Sequence, residues 1–241
     1  MVDPIFSERR LADIYDPLDP DRSDLEVYAA LVAELGARSV LDLGCGTGTF
    51  ACLLAARGFD VVAVDPATAS LDVARRKPSA DRVRWLEGDA SSLPPLRVDV
   101  VTMTGNVAQV FLTDEDWHAT LLAVHAALRP GGFLVFEVRD PAGEAWREWS
   151  RERSHRRVEV DGVGPVETWV DVTEVTPPYV SFRWTFAFEA DGSVLTSDST
   201  LRFRTGAEVQ ASLDGAGFQL REVRDAPDRP GRELVHIAVR G

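Results

Sequence analysis

The sequence predicts an α/β fold: a doubly wound, seven-stranded, mostly parallel sheet with an antiparallel β insertion after strand 5. Three observations carry this prediction. Short Val/Leu runs alternate with helical patterns through the first 140 residues. A glycine-rich turn follows the first run. Beyond about residue 156 the periodicity switches to strict alternation, and a helix and two strands then close the chain.

The elements follow in order. Residues 39–43 (SVLDL) form the first strand, and residues 49–57 a helix with Phe50, Leu53 and Leu54 at helical spacing. Residues 60–64 (DVVAV) are the second strand, followed by a helical stretch over 67–76. Short strands lie at 83–86 and 98–103. Residues 114–128 form a helix with Trp117, Leu121, Leu122, Val124 and Leu128 on or near one face. Pro130-Gly131-Gly132 stops it, and residues 133–138 are the fifth strand. Residues 166–175, 180–189 and 194–204 alternate with period two, with Phe182, Trp184, Phe186 and Phe188 on one face and a turn at Asp191-Gly192. The helix over 207–216 has Thr205 as its N-cap and Glu208 at capping-box spacing. Strands at 218–223 and 234–239 complete the sheet. The domain division is therefore 1–155 with 205–241 for the α/β unit and 156–204 for the insertion.

Composition excludes several classes. A formal net charge of −13 disfavours a nucleic-acid partner, because phosphate binding relies on Lys/Arg neutralisation. No apolar run approaches the roughly 20 residues of a membrane span, and the polar, acidic start does not read as a secretory leader; a cytoplasmic protein is expected. Cys45 and Cys52 read as reduced apolar side chains, and no Cys/His cluster suggests a metal. Monomer and homodimer both fit. The basic stretch from Arg147 to Arg157 reads first as the solvated end of a helix and second as an anion-capturing element.

The chemistry-bearing motif is residues 40–50, VLDLGCGTGTF. Gly44, Gly46 and Gly48 follow a strand and open a helix, so the turn can be tight and its backbone can lie against a ligand. Open α/β sheets bind ligands at this carboxyl rim. The dinucleotide fingerprint is GxGxxG, whereas here the spacing is GxGxG, with Thr49 at the third glycine position. Asp42, inside the motif, would repel a pyrophosphate and suits a cationic ligand, an α-ammonium or a sulfonium. Asp65 lies 21 residues after Gly44, where an acid can accept both hydroxyls of a ribose. Asp89, after the third strand, is placed to accept from an adenine amine. The three carboxylates share one rim.

These segments resemble the class I S-adenosylmethionine-dependent methyltransferases over nearly the whole chain. VLDLGCGTGTF is similar to the family's first motif, VVAVDPA to its acidic second-strand end, EGDA to its adenine-contacting turn and LRPGGFLVFEV to its fifth-strand entry. The resemblance implies a Rossmann-like strand order of 3-2-1-4-5-7-6 and S-adenosyl-L-methionine as cofactor. It implies that Gly44, Gly46 and Gly48 floor the methionine pocket and that Asp42 approaches the amino group. Asp65 with Pro66 would meet the ribose, and Asp89 with Ala90 the adenine. Thr104 and Asn106, after the fourth strand, fall between cofactor and acceptor; that segment departs from the (D/N)PPY-type pattern of members that methylate nucleic-acid and protein amides. Tyr15, in Ala12–Asp16 (ADIYD), is similar to a segment that folds over the cofactor, its ring facing the sulfonium.

No general base stands out. His118, His125 and His236 read as surface or structural residues, while His155 and Asp140 are the candidates, with Tyr15 a third. The insertion reads either as a roof over an acceptor site, through Trp169, Arg183 or Trp184, or as a packing face against the domain or a second subunit. The expected activity is methyl transfer to an O, N or C nucleophile of a small-molecule acceptor. The alternatives are an RNA- or protein-directed methyltransferase, a non-catalytic S-adenosylmethionine-binding protein and, disfavoured by the glycine spacing, a nicotinamide-dependent oxidoreductase.

Overall fold

Apolar side chains on both faces force the central strands into the middle of a sandwich. In the computed structural model, which describes residues 2–227 and 229–241, Val40, Leu41, Val61, Ala63, Val100 and Val101 are fully buried. They belong to β1 (Ser39–Leu43), β2 (Asp60–Asp65) and β4 (Val98–Met103); β3 (Val83–Glu87) lies beyond β2. With β5 (Leu128–Arg139), β10 (Phe218–Asp225) and β11 (Glu233–Arg240), they form one seven-stranded sheet in the order β10-β11-β5-β4-β1-β2-β3. β10 and β11 pair antiparallel and the first five strands pair parallel, as the expected order required.

The N-terminal helices α1 (Pro4–Ser7), α2 (Arg9–Leu18) and α3 (Asp24–Glu34) were not expected from periodicity. α3 and α4 (Thr49–Ala56) cover one face of the sheet, where Leu25, Tyr28, Leu31, Phe50 and Leu54 meet Val40, Val61 and Val100. α5 (Thr68–Ala74) follows β2. α6 (Asp114–Ala127) and the late helix over 206–215 cover the other face through Trp117, Leu121, Val124, Val209 and Leu213. Thr113 caps α6 at the Asp116 amide, and three acids in its first turn complement the positive end of the dipole. The fifth strand runs through Pro130-Gly131-Gly132 rather than starting after it, with a register shift against β4 between Val98 and Val100.

A second sheet holds four strands rather than three: β6 (Arg156–Val160), β7 (Gly164–Thr176), β8 (Tyr179–Phe188) and β9 (Val194–Arg202). A short α7 (Arg151–Ser154) leads into it, and α8 (Gly206–Gly215) leaves it with the expected Thr205/Glu208 capping box. Its alternation buries Val166, Phe186 and Phe188 against Leu11, Ile14 and Leu18 of α2. Val170, Phe182 and Leu201 pack with Phe203, Trp146 and Trp149. The period-two pattern thus pairs the second sheet with the N-terminal helices. No helix among the described residues is long and apolar enough to cross a membrane.

Candidate active site

Glycines 44, 46 and 48 all have positive φ (75°, 52° and 74°), so the turn after β1 folds back on itself without side-chain strain. The Gly44 and Cys45 amides donate to the Val64 carbonyl, which ties the turn to the end of β2. The three glycines face different surroundings. A Cβ on Gly44 would lie 2.5 Å from Val107, and one on Gly48 would lie 2.5 Å from Trp85. A Cβ on Gly46 would meet nothing within 4 Å. Gly46 alone turns an open face outward; the other two admit neighbouring side chains.

Two acids flank this turn. Asp65 accepts from the Gly46 amide at 2.7 Å and from the Ala67 amide at 2.8 Å, one oxygen each. Burial raises its pKa, and those two amides oppose the rise. Asp42 is buried; its Oδ1 accepts from the Thr102 hydroxyl at 2.9 Å and its Oδ2 has no partner. Burial lifts the Asp42 carboxyl to about 7, the Thr102 hydroxyl opposing and the Asp65 charge adding to the rise. A carboxylate held this close to neutrality answers to any cation placed beside it.

A cavity of about 220 Å³ opens beside this rim, between the loop after β4 and the second sheet. Leu11, Tyr15 and Leu18 from α2, Gly105 and Asn106 from the loop, and Phe182, Trp184 and Phe186 from β8 line it. A second cavity of about 620 Å³ shares Arg139, Phe182 and Trp184 as walls. Beneath the loop, the Gly105 and Asn106 amides donate to Glu137 Oε1, and the Tyr28 hydroxyl donates to Glu137 Oε2. Burial first, then the neighbouring Glu233, push Glu137 up to about 8. Glu233, fully buried, accepts from Asn106 Nδ2 and pairs with Arg229 at 2.9 Å and Arg139 at 3.5 Å.

Comparison with known proteins decides what this rim belongs to. Residues 40–132 match the family model described as "Methyltransferase domain". The cypemycin N-terminal methyltransferase of a Streptomyces species is 37% identical over 149 residues, 59% of this chain and 60% of that protein. The alignment therefore spans less than two thirds of that relative. The malonyl-[acyl-carrier protein] O-methyltransferase of Serratia marcescens is 28% identical over 209 residues, 80% of this chain and 72% of that one. Among solved structures, the CcbJ methyltransferase of Streptomyces caelestis superposes with a TM-score of 0.78 at 25% identity, covering 96% of each chain. Over these residues the chain is similar to methyltransferases, and its whole fold is similar to that of a solved methyltransferase.

The expected site residues separate into groups. Asp42, Gly46, Asp65 and Thr104 lie along one rim, at the ends of β1, β2 and β4. Tyr15 and Asn106 line the smaller cavity. Pro66 is exposed, and Ala90 is buried in a short turn. Asp89 is exposed, and its Oδ1 accepts from both the amide and the hydroxyl of Ser91, which lowers its pKa. Asp140 caps its own turn at the Ala142 amide and His155 bonds Glu167 at 2.9 Å; neither lines either cavity. Trp184 lines both cavities, whereas Arg183 pairs with Asp198 and Trp169 lies under Arg151 and lines neither.

Asp16, Glu137, Glu233 and Thr168 were not singled out beforehand. Asp16 accepts from Thr47 at 2.7 Å and Thr49 at 3.2 Å and pairs with Lys77 at 2.6 Å, clamping α2 onto the glycine turn. The one available signal was the threonines inside the glycine motif, which had no role of their own. Glu137 was legible only as an acid in an otherwise apolar strand.

Proposed function

We propose that the protein transfers the methyl group of S-adenosylmethionine to a small-molecule acceptor, with residues 156–204 roofing the acceptor site. One observation carries this reading: the open Gly46 face and the buried, half-partnered Asp42 lie on the strand-end rim whose β4 loop, through Gly105 and Asn106, also walls a largely apolar cavity. The residues present fit the cofactor. Asp42 Oδ2 is available to a cationic amino group, and Gly46 admits a ligand against its backbone. Asp65 keeps lone pairs beyond the two its backbone partners use, for ribose hydroxyls. Gly44 and Gly48 contribute by admitting Val107 and Trp85, which fixes the turn. Ala90 and Asp89 stand at the adenine end.

When bound, S-adenosylmethionine supplies a methyl group on a positively charged sulfur with a good leaving group. The chain's own work is alignment and exclusion of water. Positioning of this kind can account for about 7–11 kcal/mol of barrier lowering, so no strong base is required for every acceptor. Leu11, Tyr15 and Leu18 on one side and Phe182, Trp184 and Phe186 on the other keep the cavity dry. Glu137 holds the Gly105–Asn106 backbone, which separates the cofactor rim from that cavity. The small-molecule reading also agrees with solved structures that share the fold, which include an amino pentose methyltransferase and a sugar N-methyltransferase.

Calorimetry with S-adenosylhomocysteine, followed by transfer of labelled methyl into a metabolite extract, tests the proposal. Binding together with label appearing in a low-mass product is the expected result. Binding without turnover on any fraction points to a cofactor-binding module instead.

A further inference from the structure

Two side-chain oxygens, one from the loop after β4 and one from the second sheet, belong to residues that line the same cavity, and neither has a hydrogen-bond partner. Asn106 is 4% exposed and Thr168 is 0% exposed. Asn106 Oδ1 and Thr168 Oγ1 are both unpartnered, and both residues line the 220 Å³ cavity. Leaving such a group unmet costs about 1–3 kcal/mol, so two facing one small space are an expensive arrangement unless a ligand meets them. The orientation of Asn106 follows from chemistry. Its amino end faces the oxygens of Glu233, at 3.4 and 3.5 Å, and donates to them, so its carbonyl end is the one left over. Asn106 also sits in the left-handed region, φ 65°, held there by the bonds from its own and the preceding amide to Glu137. Thr168 lies on β7 opposite Phe186 of β8, within the second sheet.

An amide carbonyl offers only lone pairs, so whatever meets Asn106 must bring an N–H or O–H. That requirement rejects a carboxylate and a fully substituted amine. Neither orphaned atom takes up a proton near neutrality, which disfavours a nucleophile that must be deprotonated as it reacts. The charged residues lining the cavity, Asp3 and Asp19 against Arg139 and Arg156, are balanced in sign and set no preference for an ion.

We propose, on the footing that the protein is a methyltransferase, that its acceptor is an uncharged primary or secondary ring amine with a second polar group. The amine N–H donates to Asn106 Oδ1, the ring lies among Phe182, Trp184 and Phe186, and the second group meets Thr168 Oγ1. The C–N bond forms from the amine lone pair as the sulfur–carbon bond breaks, and that bond's electron pair stays on sulfur. The surplus proton of the ammonium product passes to water.

The experiment measures binding of aminocyclohexanol, cyclohexylamine and cyclohexanecarboxylate to protein saturated with S-adenosylhomocysteine, by ligand-observed NMR at about pH 10, where alkylamines with an ammonium pKa of about 10.4 are present in substantial part uncharged. Molecules of this size are expected to bind in the millimolar range. Aminocyclohexanol should bind more tightly than cyclohexylamine, and the carboxylate should not bind. Thr168→Val, which keeps shape and suits a strand, should weaken aminocyclohexanol about tenfold, one lost hydrogen bond. It should leave cyclohexylamine and S-adenosylhomocysteine affinity unchanged and raise the melting temperature of the free protein, because a buried orphan is removed. Asn106→Gly, compatible with positive φ, should weaken both amines and spare S-adenosylhomocysteine.

Unchanged aminocyclohexanol affinity in Thr168→Val, a carboxylate binding as well as the amines, or no probe binding to the loaded protein each overturns the proposal. A loss of melting temperature in Thr168→Val also overturns it, since the hydroxyl would then have a structural partner. A protein that fails to bind S-adenosylhomocysteine sinks the methyltransferase reading itself, a separate result from the other four.

Discussion

The cofactor rim and the acceptor cavity lie side by side, yet they are assembled in different ways. The rim comes from adjacent strand ends, and most of its bonds run between the chain and its own backbone. Asp65 holds Gly46 and Ala67, and Val64 holds Gly44 and Cys45. The cavity draws one wall from α2, one from the loop after β4 and one from β7, β8 and β9 of the second sheet. Its floor rests on two buried acids from β5 and β11. A site built from strand ends at a fixed rim keeps its chemistry when the rest of the fold varies. A site built from three distant segments takes its specificity from how those segments pack.

The largest effect should come from under the cavity. Glu233→Ala removes the anion that Asn106, Arg139 and Arg229 share, and breaking such a buried group is expected to cost about 3–5 kcal/mol of stability in urea unfolding. A cost below about 1 kcal/mol would show that the floor is not held this way.

Within the rim, Gly48 and Gly46 should part company. Gly48→Ala combines a left-handed backbone with a Cβ 2.5 Å from the Trp85 ring, and should cost about 3 kcal/mol of stability. Gly46→Ala meets open space and should cost only the left-handed strain, about 1–2 kcal/mol, while weakening S-adenosylhomocysteine in calorimetry. Equal stability losses would erase the distinction between packing and ligand-facing glycines.

Asp65→Ala is expected to weaken S-adenosylhomocysteine by about 1–3 kcal/mol, the value of lost buried hydrogen bonds, with the fold retained by circular dichroism. Unaltered affinity would mean that Asp65 serves only its two backbone amides.

The smallest effect is a pH dependence. The Asp42 carboxyl of the free protein titrates at about 7, and a cation beside it favours the ionised form. Binding of S-adenosylhomocysteine should therefore release a proton below that pH. Affinity should rise as pH approaches 7 and level off above it. Asp42→Asn should remove this rise, and a slope that persists in the variant would place the titrating group elsewhere.

Legibility divided along the same line as the two regions. The glycine spacing, the acids at strand ends and the Thr205/Glu208 cap are local patterns, each within a few residues, while the order of the seven strands was what the family resemblance implied. The N-terminal helices were missed because α2, with Pro17 inside it and a largely polar outer face, takes its stability from Phe186, Phe188 and Val166 of the second sheet. β6 was missed because it is five residues of Arg, Val and Glu, with Val160 as its sole buried side chain. His155 and Asp140 drew attention by residue type beside the insertion; in space each bonds a near neighbour and faces neither cavity. Glu137 offered the opposite case, an acid in a Val/Phe strand that no short-range rule explains.

By itself the sequence determined the doubly wound sheet, the glycine turn and the run of acids along its rim, because these depend on backbone conformation and on residues near one another in the chain. The packing of α2 against the second sheet decided which of those side chains surround a cavity and which oxygens are left unpaired within it. Burial and hydrogen-bond satisfaction are properties of distant segments brought together, and no local pattern encodes them.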